Sequence, residues 1–339
     1  MTSGRKKETC KGCKMCTCKR GRGKKVKKRQ KWKYAWHVKK YREERRRLQI
    51  KECRDYKAYE KKRREESGTK KVRNSKLRKL ILTSWPEMPG YDVARFLCLV
   101  GMVSRDNSLR GHVDYMNDHP GTEYSYGLKK VPSKSGIHNW AKEFSGMMDW
   151  VQELLSMQAG DDARGTLLGD SSGFSIMRYE DWEDAKRGVV SRRGFDKLHI
   201  LLAPHGMIAA CAVTGGRRHD SPVFREMFGR WVPPGTGHVM LDAAYPCKKN
   251  CEMIRDSGRI PVICPKSNMR PRGFNALAEM LRWRQNDRDG FDRLYHRRSL
   301  VETAFSVIKE RFGSTARAKL EPVRALLLTL KCISYNLVS

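Results

Sequence analysis

The stretch Tyr295–Gly313, YHRRSLVETAFSVIKERFG, decides how the second half of the chain is interpreted. Its apolar residues recur at the spacing of an amphipathic helix. At about 100° per residue, four polar residues fall within an arc of roughly 60° beside the apolar face: Tyr295, Arg298, Glu302 and Lys309. Arg298 and Glu302 are spaced i,i+4, so a solvated ion pair on a helix surface is an alternative explanation. Whether these four residues form a solvated surface or a functional site depends on what the fold places beside this helix.

An α/β pattern begins at about Gly165 and contains two further carboxylates. GTLLGD predicts a strand that ends at Asp170, and HVMLDAAY predicts a buried strand that carries Asp242. Between them, KLHILLAPHGMIAACAVTGG predicts two strands joined by a turn at Pro204–Gly206. Asp disfavours strands and a buried charge needs a partner, although a lone Asp is often a cap or turn residue.

Three carboxylates at one site repel one another unless a cation neutralises them. Mg²⁺ uses a few carboxylates and keeps positions for water and phosphate oxygens. Two such ions about 3.5–4 Å apart activate water and stabilise the leaving oxygen in phosphodiester chemistry. Arg298 and Lys309 would then hold phosphates next to Glu302. We therefore expect Asp170 and Asp242 on adjacent strands, with Glu302 close to both.

These residues resemble those of the DDE insertion-sequence transposases, which have an RNase H-like catalytic core. Asp170 in LLGDSSGF matches the first acid of that family, Asp242 in VMLDAAYP the second and Glu302 the third. Four residues meet every spacing of the family signature Y-x2-R-x3-E-x6-K: Tyr295, Arg298, Glu302 and Lys309. The resemblance covers residues 165–313 well, extends more loosely over the helical segment before them, and does not cover the N-terminal arm.

The resemblance implies an RNase H-like mixed sheet flanked by helices and a metal-dependent enzyme. Asp170, Asp242 and Glu302 would hold two Mg²⁺ or Mn²⁺ ions, so that an activated water cleaves transposon ends and the freed 3′-OH attacks target DNA. Arg298 and Lys309 would bind phosphates near the cut. The implied partners are the double-stranded DNA of the terminal inverted repeats and of the target, bound by a homodimer at the nucleoid, in the cytoplasm of a prokaryotic host.

Further contacts with DNA are expected beside this core. Tyr295 would contact a phosphate or a displaced base, the alternative being a helix-capping aromatic. Arg217, Arg218 and His219 precede a helix N-terminus, which is a ready anion site. Asp220, at the start of the helix PVFREMFGRW, is interpreted as its cap and not as a fourth metal ligand.

Two other functions are compatible with the same core. One is an RNase H-like endonuclease that cuts without strand transfer, and the other is a domesticated DNA-binding protein without catalysis. The intact acids disfavour the second, and only a strand-transfer assay separates the first from a transposase. The interval between Asp242 and Glu302 is too short for the large all-β insertion of some relatives, which leaves the processing of the flanking strand open.

Residues 81–160 have the pattern of a helical region. YDVARFLCLVGMVSR is apolar at helical spacing, and Ser133 and Ser135 are possible caps of a long amphipathic run after Pro132. Four polar or basic residues lie near the start of that run: Lys134, His138, Asn139 and Lys142. A helix that enters DNA by its N-terminal residues is one use of such a pattern, and a plain helical subdomain is the other.

Residues 1–80 form a basic arm. The 339 residues carry a net charge of +34, which implies a polyanionic partner. The arm contains 34 Lys and Arg against 8 Asp and Glu, so most of this excess lies in the first quarter of the chain. Because it has few apolar residues, we expect a largely extended or helical segment without a core of its own.

Two patterns stand out inside the arm. Four aromatic residues lie among the cations and suit stacking on bases, unless they are incidental to a basic tail: Trp32, Tyr34, Trp36 and Tyr41. Four cysteines in CKGCKMCTC have a spacing that can chelate Zn²⁺: Cys10, Cys13, Cys16 and Cys18. No second knuckle follows, so a reduced, metal-free run is the alternative.

The sequence contains no membrane or secretion signal. No stretch approaches the ~20 apolar residues of a membrane span, and the N-terminus lacks an apolar h-region. Cys247, Cys251 and Cys264, in a predicted helix and strand, are interpreted as structural thiols. We therefore expect a cytosolic protein in three parts: a basic arm (1–80), a helical DNA-binding region (81–160) and a catalytic domain (161–339).

Overall fold

A computed structural model of the chain describes residues 68–176 and 194–339. The cysteines and aromatic residues predicted to serve the arm lie outside these residues: Cys10, Cys13, Cys16, Cys18, Trp32, Tyr34, Trp36 and Tyr41. The described residues belong to one compact unit, Glu66–Ser339.

Within the described residues, the α-helices before the sheet are α1 (Gly68–Ser84), α2 (Gly90–Val103), α3 (Leu109–Asp118), α4 (Thr122–Tyr126), α5 (Lys134–Ser145) and α6 (Met148–Ala159). Helix α1 runs through residue 80 and therefore crosses the position at which the sequence divides into a basic arm and a helical region. The physical reason is burial, because Leu77 and Ile81 are both fully buried in the core.

The amphipathic run after Pro132 is two helices and not one. Ser133 caps α5, as predicted, by accepting a hydrogen bond from the N–H of Gly136 at 3.0 Å. The chain then turns at Gly146 before α6 begins. Lys134 and Lys142 of α5 are exposed, so their charges face solvent in this fold.

The sheet contains β1 (Leu167–Ile176), β2 (Phe195–Leu202), β3 (Ile208–Gly215), β4 (His238–Leu241), β5 (Ile260–Ile263) and β6 (Thr315–Ala316). Its order is β3-β2-β1-β4-β5, and β6 pairs with β1. Strands β1, β2 and β3 are antiparallel neighbours, whereas β4 and β6 are parallel to β1, and β5 is parallel to β4. The predicted turn between β2 and β3 is present, with Gly206 at a φ of 91°.

The remaining helices are α7 (Asp220–Trp231), α8 (Lys248–Asp256), α9 (Ala276–Asn286), α10 (Arg288–His296), α11 (Ser299–Phe312) and α12 (Glu321–Asn336). A mixed sheet flanked by helices confirms the predicted fold class and is consistent with an RNase H-like domain. None of the helices in the described residues combines the length and apolar character needed to cross a bilayer.

Helix α12 joins the helical region to the sheet. It packs against β3 and also against α2, α5 and α6. Asn336 exchanges two hydrogen bonds of 2.9 Å with the backbone of Ile208, which fixes the end of α12 at the start of β3. The helices before the sheet therefore share a core with the α/β region.

Candidate functional site

Two neighbouring strands carry the first two acids. Leu168 of β1 is level with Met240 of β4 in a parallel pair. Asp170 and Asp242 each lie two residues further along, so the same register brings them side by side. The expected adjacency of the two strands is confirmed. The expected end of β1 at Asp170 is wrong, because the hydrogen bonding of β1 to β2 continues as far as Ser175.

Asp170 is held inside the strand, and its side chain is 18% exposed. Its Oδ1 accepts a hydrogen bond from the N–H of Ser171 at 2.8 Å. Burial raises the pKa of Asp170, the Ser171 N–H and Arg298 lower it, and the charge of Asp242 raises it. The two aspartates are therefore close enough to repel each other.

Asp242 directly follows β4 and begins a turn. Its Oδ1 accepts a hydrogen bond from the N–H of Ala244 at 2.8 Å, as an Asx turn does. The chain therefore leaves the sheet at this carboxylate, which is why Asp242 is not inside a strand as the apolar run HVMLDAAY suggested.

The stretch Tyr295–Gly313 is not a single helix. Helix α10 ends at His296 and α11 begins at Ser299, so Tyr295 and Glu302 lie on different helices. Arg298 occupies the junction in a helical backbone conformation. The N–H groups of Arg298 and Val301 bond three residues back instead of four. This tighter junction changes the angular positions expected for one continuous helix.

Arg298 connects two of the three predicted acids. Its Nη1 donates to Oδ2 of Asp170 at 2.6 Å, and its Nη2 donates to Oε1 of Glu302 at 2.6 Å. Burial alone would lower the pKa of Arg298, but the charges of Asp170, Tyr295 and Glu302 outweigh burial and raise it. Arg298 and Glu302 therefore form the i,i+4 ion pair that was expected for a solvated helix surface. The same guanidinium also bonds Asp170 of β1, which a surface ion pair does not require.

Lys309 reaches the same face of β1 further along the strand. Its Nζ donates to Oγ of Ser172 at 2.8 Å and lies 5.3 Å from the centroid of the Phe174 ring. Asp170, Ser172 and Phe174 alternate along one face of the strand. Helix α11 therefore runs alongside β1, with Arg298 near one end and Lys309 near the other.

Tyr295, at the end of α10, contacts Arg298 from the helix before the junction. Its ring centroid is 5.9 Å from the Arg298 guanidinium. Burial and then the neighbouring Cys264 raise the pKa of Tyr295, while Arg298 acts in the opposite direction. The four residues of the signature are therefore brought to one region of the fold by two helices and the β1 edge.

The donor chemistry of this region fits a hard divalent cation. Three carboxylates supply only oxygen, which Mg²⁺ and Mn²⁺ prefer. No three side chains of the His, Cys, Asp and Glu type form a ready metal cluster within residues 68–176 and 194–339. The Arg298 guanidinium, which contacts both Asp170 and Glu302, supplies positive charge between these carboxylates instead.

The predicted anion site before α7 is only partly as expected. Arg217, Arg218 and His219 are exposed, and Arg218 pairs with Glu226 at 2.5 Å. Asp220 is not the cap, because His219 occupies the N-cap position and no side chain caps the helix. The Asp220 carboxylate faces the sheet instead.

A buried polar group beneath Asp220 was missed by sequence reasoning. Lys197 donates to Oδ1 of Asp220 at 2.8 Å, and the Ser171 hydroxyl donates to Oδ2 at 3.1 Å. His199 is 1% exposed and bonds Thr214 at 2.9 Å through Nε2, and burial lowers its pKa to about 4. The available signal was alternation, since Lys197 and His199 lie on one face of β2.

Tyr245 was also missed, although it stands three residues after Asp242. It is 3% exposed. Burial raises its pKa, and the charges of Asp220, Asp170 and Asp242 add to that effect. The buried hydroxyl of Tyr245 therefore lies where the charges of all three acidic residues act on it.

Gly169 sets how closely the acid-bearing strands approach. A Cβ at this position would collide with Cδ2 of Leu241 on β4 and lie 3.0 Å from Cδ2 of Leu201 on β2. Leu241 directly precedes Asp242, so the contact is one residue from each of the two aspartates.

The chain matches one family model, described as Transposase DDE domain, over residues 163–337. No curated protein matches the chain, and no solved structure does. The match covers more than half of the 339 residues and includes all three predicted acids and the whole described sheet. Domains of this kind act on DNA in transposition and generally use divalent metal ions. On this evidence the chain belongs to the transposase DDE domain family.

Proposed function

We propose that the chain is an active transposase that binds transposon ends, cleaves them and joins the resulting 3′-OH ends to target DNA. The observation that carries this proposal is the arrangement of Asp170, Asp242 and Glu302. Two acids are level on neighbouring parallel strands, and the third is tied to the first through Arg298. This is the oxygen-rich, cation-dependent arrangement that phosphodiester chemistry requires.

Asp170, Asp242 and Glu302 are the residues proposed to hold the divalent ions. When bound, Mg²⁺ or Mn²⁺ supplies Lewis-acid activation of water and stabilises the leaving oxygen. Asp170 and Asp242 need such a charge because they repel each other. The pairing of β1 with β4 brings the two aspartates side by side, and Arg298 links Glu302 of α11 to Asp170.

Arg298, Lys309 and Tyr295 are proposed to hold the scissile strand. Arg298 and Lys309 place two cations along one face of β1, where phosphates can be bound by charge-assisted hydrogen bonds. Tyr295 presents a partly exposed ring beside Arg298 and can contact a phosphate or a displaced base. Exposed cations before α7, at Arg217 and Arg218, extend the basic surface.

The proposed partner is double-stranded DNA, bound by a homodimer. Residues 1–67 contain 28 Lys and Arg against 8 Asp and Glu and are proposed to bind DNA of any sequence. The helical region up to residue 160 is proposed to recognise the transposon ends, because α5 exposes Lys134 at its N-terminus and Lys142 in its last turn.

The test is cleavage of DNA that carries the transposon end, followed by strand transfer. Asp170→Asn, Asp242→Asn and Glu302→Gln should each abolish cleavage and leave DNA binding intact, because an isosteric amide removes the charge and keeps the shape. Glu310→Gln is the matched control, since Glu310 is an exposed acid of the same helix as Glu302. Cleavage at the wild-type rate by any of the three acid variants would refute the site.

Strand transfer separates the proposed transposase from an endonuclease with the same core. Wild-type protein, pre-cleaved ends and plasmid target should give joined products. Cleavage of uncut ends without joining of pre-cleaved ones would identify the endonuclease. Binding without either reaction would identify a domesticated DNA-binding protein.

A further inference from the structure

The loop between β5 and α9 has an unusual composition and exposure. It spans residues 264–275, CPKSNMRPRGFN, and is named here the Phe274 loop. It contains Lys266, Arg270 and Arg272, all exposed, and no acidic residue. Phe274 is 96% exposed, the largest value among the large hydrophobic side chains of the described residues. An aromatic ring in water beside three cations has no role in the core.

The Phe274 loop is held in shape by hydrogen bonds. Arg282 of α9 donates to the carbonyl of Gly273 at 2.6 Å. Asn275 caps α9 through the N–H of Ala278 and donates to the carbonyl of Arg272 at 3.0 Å. These bonds fix the backbone on both sides of Phe274, so the ring is presented in a defined position and its ordering cost is already met.

The loop begins at the acid-bearing edge of the sheet. The N–H of Cys264 donates to the carbonyl of Leu241 at 3.3 Å, one residue before Asp242. Cys264 also adjoins Tyr295 of the signature. A strand of DNA that reaches the acids therefore passes the point at which this basic loop leaves the sheet.

The Phe274 ring is open to a stacking partner. The Arg282 guanidinium lies 5.4 Å from the ring centroid, within the range of a cation–π contact, and leaves the ring almost fully exposed. Such a ring can stack on the open face of a single base. A continuous duplex offers no such base face, because every base is stacked on both sides. A duplex end does.

We propose that the Phe274 loop binds a free DNA end, with Phe274 stacked on the terminal base and Lys266, Arg270 and Arg272 on the adjacent phosphates. This rests on the proposed function, in that cleavage by the same protein produces such ends. The loop would then hold a cut end in place until it is joined to the target. The ligand class is the unstacked face of a terminal nucleobase together with its backbone phosphates.

The experiment compares one DNA minicircle in two forms, covalently closed and linearised, bound by the full-length protein without divalent metal. Wild-type protein should bind the linear form more tightly. Phe274→Ala should lower affinity for the linear form by about 5- to 150-fold, the range for loss of one base–aromatic stack, and leave the closed form unchanged. Phe274→Trp should keep the preference. A 2-aminopurine at the terminal position should be quenched by wild-type protein and not by Phe274→Ala.

Two controls make the result specific. Phe195→Ala removes another exposed aromatic, on β2, and should leave the preference for ends unchanged. Arg270→Ala with Arg272→Ala should weaken binding to both forms alike, because phosphate contacts carry no preference for ends. Equal binding of both forms by wild-type protein, or an unchanged preference in Phe274→Ala, would overturn the proposal. Neither readout requires cleavage, so failure here is distinguishable from failure of the acid variants.

Discussion

The guanidinium of Arg298 bonds the carboxylate of Asp170 across the edge of the sheet, with Nη1 2.6 Å from Oδ2. The same guanidinium bonds Glu302 at 2.6 Å through Nη2. A single guanidinium is therefore shared by two of the three acids. At the proposed metal site Arg298 would compete with a divalent ion for these carboxylates, and a guanidinium displaced by the ion could bind a phosphate.

Replacing Arg298 should strengthen metal binding by the free protein. In Arg298→Gln the competing positive charge is gone, so Mn²⁺ affinity without DNA should rise by about tenfold or more, the scale of a close ion pair at the surface of a protein. Calorimetry with Mn²⁺ and full-length protein measures this. DNA cleavage should fall in the same variant, because the phosphate contact is lost.

Lys309→Ala is the matched control for that measurement. Lys309 contacts Ser172 and no acid of the site, so its removal should leave Mn²⁺ affinity unchanged. A similar rise in both variants would show that general positive charge, and not the Arg298 contacts, opposes the metal.

Lys309 should matter for the reaction on DNA. Lys309→Ala should lower the cleavage rate by about 10²–10³-fold, the usual cost of one aimed electrostatic contact, and Lys309→Arg should recover part of it. Single-turnover cleavage with saturating end DNA measures this. Ser172→Ala removes only the hydroxyl that Lys309 contacts and should lower the cleavage rate far less. An equal loss of cleavage rate in Ser172→Ala and Lys309→Ala would mean that the hydrogen bond between the two residues, and not the charge of Lys309, supports the reaction.

The basic arm should set the salt dependence of DNA binding. Deleting residues 1–67 removes 28 of the 71 Lys and Arg and spares α1, whose Leu77 belongs to the core. Counterion release makes log K fall linearly with log salt, by about 0.9 per phosphate neutralised. The truncated protein should have a slope flatter by several units.

Discrimination between transposon ends and random duplex should survive that deletion, because base contacts specify and phosphate contacts position. Salt titrations of both proteins on both DNAs measure slope and discrimination together. Loss of discrimination with an unchanged slope would assign sequence recognition to the arm, and a zinc measurement on Cys10, Cys13, Cys16 and Cys18 would follow.

Lys331 should give the fold a distinct response to alkaline pH. It is 4% exposed and donates to the carbonyls of Gly313 and Thr315. Its pKa is lowered from 10.5 to about 8, because the effects of burial and of Arg317 outweigh those of Asp106 and Cys332, which raise it. Between these two pH values the unfolded chain binds more protons than the native one, so this group adds stability as pH rises.

The free energy of unfolding should therefore rise between pH 8 and 10.5 relative to Lys331→Met, by at most on the order of 3 kcal/mol. Denaturant titrations at several pH values measure the difference in free energy of unfolding between wild type and Lys331→Met. The contributions of other groups that titrate in this range cancel in that difference. Lys249→Met, at an exposed lysine of α8, should show no such divergence. A constant difference between wild type and Lys331→Met across this range would contradict the prediction.

Much of the site could be predicted because its parts have local signals. Asp170 and Asp242 each follow an apolar run, and the signature from Tyr295 to Lys309 depends only on spacing. The helix junction at Arg298 could not be predicted, because all its residues tolerate a helix and the two helices pack against different strands, α10 against β4 and β5 and α11 against β1. Local pattern also gave the turn at Gly206, where glycine supplies a positive φ.

Non-local contacts account for what sequence reasoning missed. Arg259 is 1% exposed and donates to the carbonyls of Ala163 and Gly165, which ties β5 to the start of β1. Nothing in its neighbours distinguishes it from a surface cation. Asp220 resembled a cap because it begins a helix, but Lys197, from a strand far away in sequence, takes its carboxylate. Such pairings follow from strand order, which periodicity does not encode.

The close approach at Gly169 bears on how copies of this chain would lose activity. Substitution by any residue with a side chain would require the buried Leu241 side chain, one residue before Asp242, to repack, although every acid and every residue of the signature would still be present. An intact set of acids is therefore necessary but not sufficient for an active copy. A survey of degenerate copies that scored only those motifs would count as functional some that a single change at Gly169 had silenced.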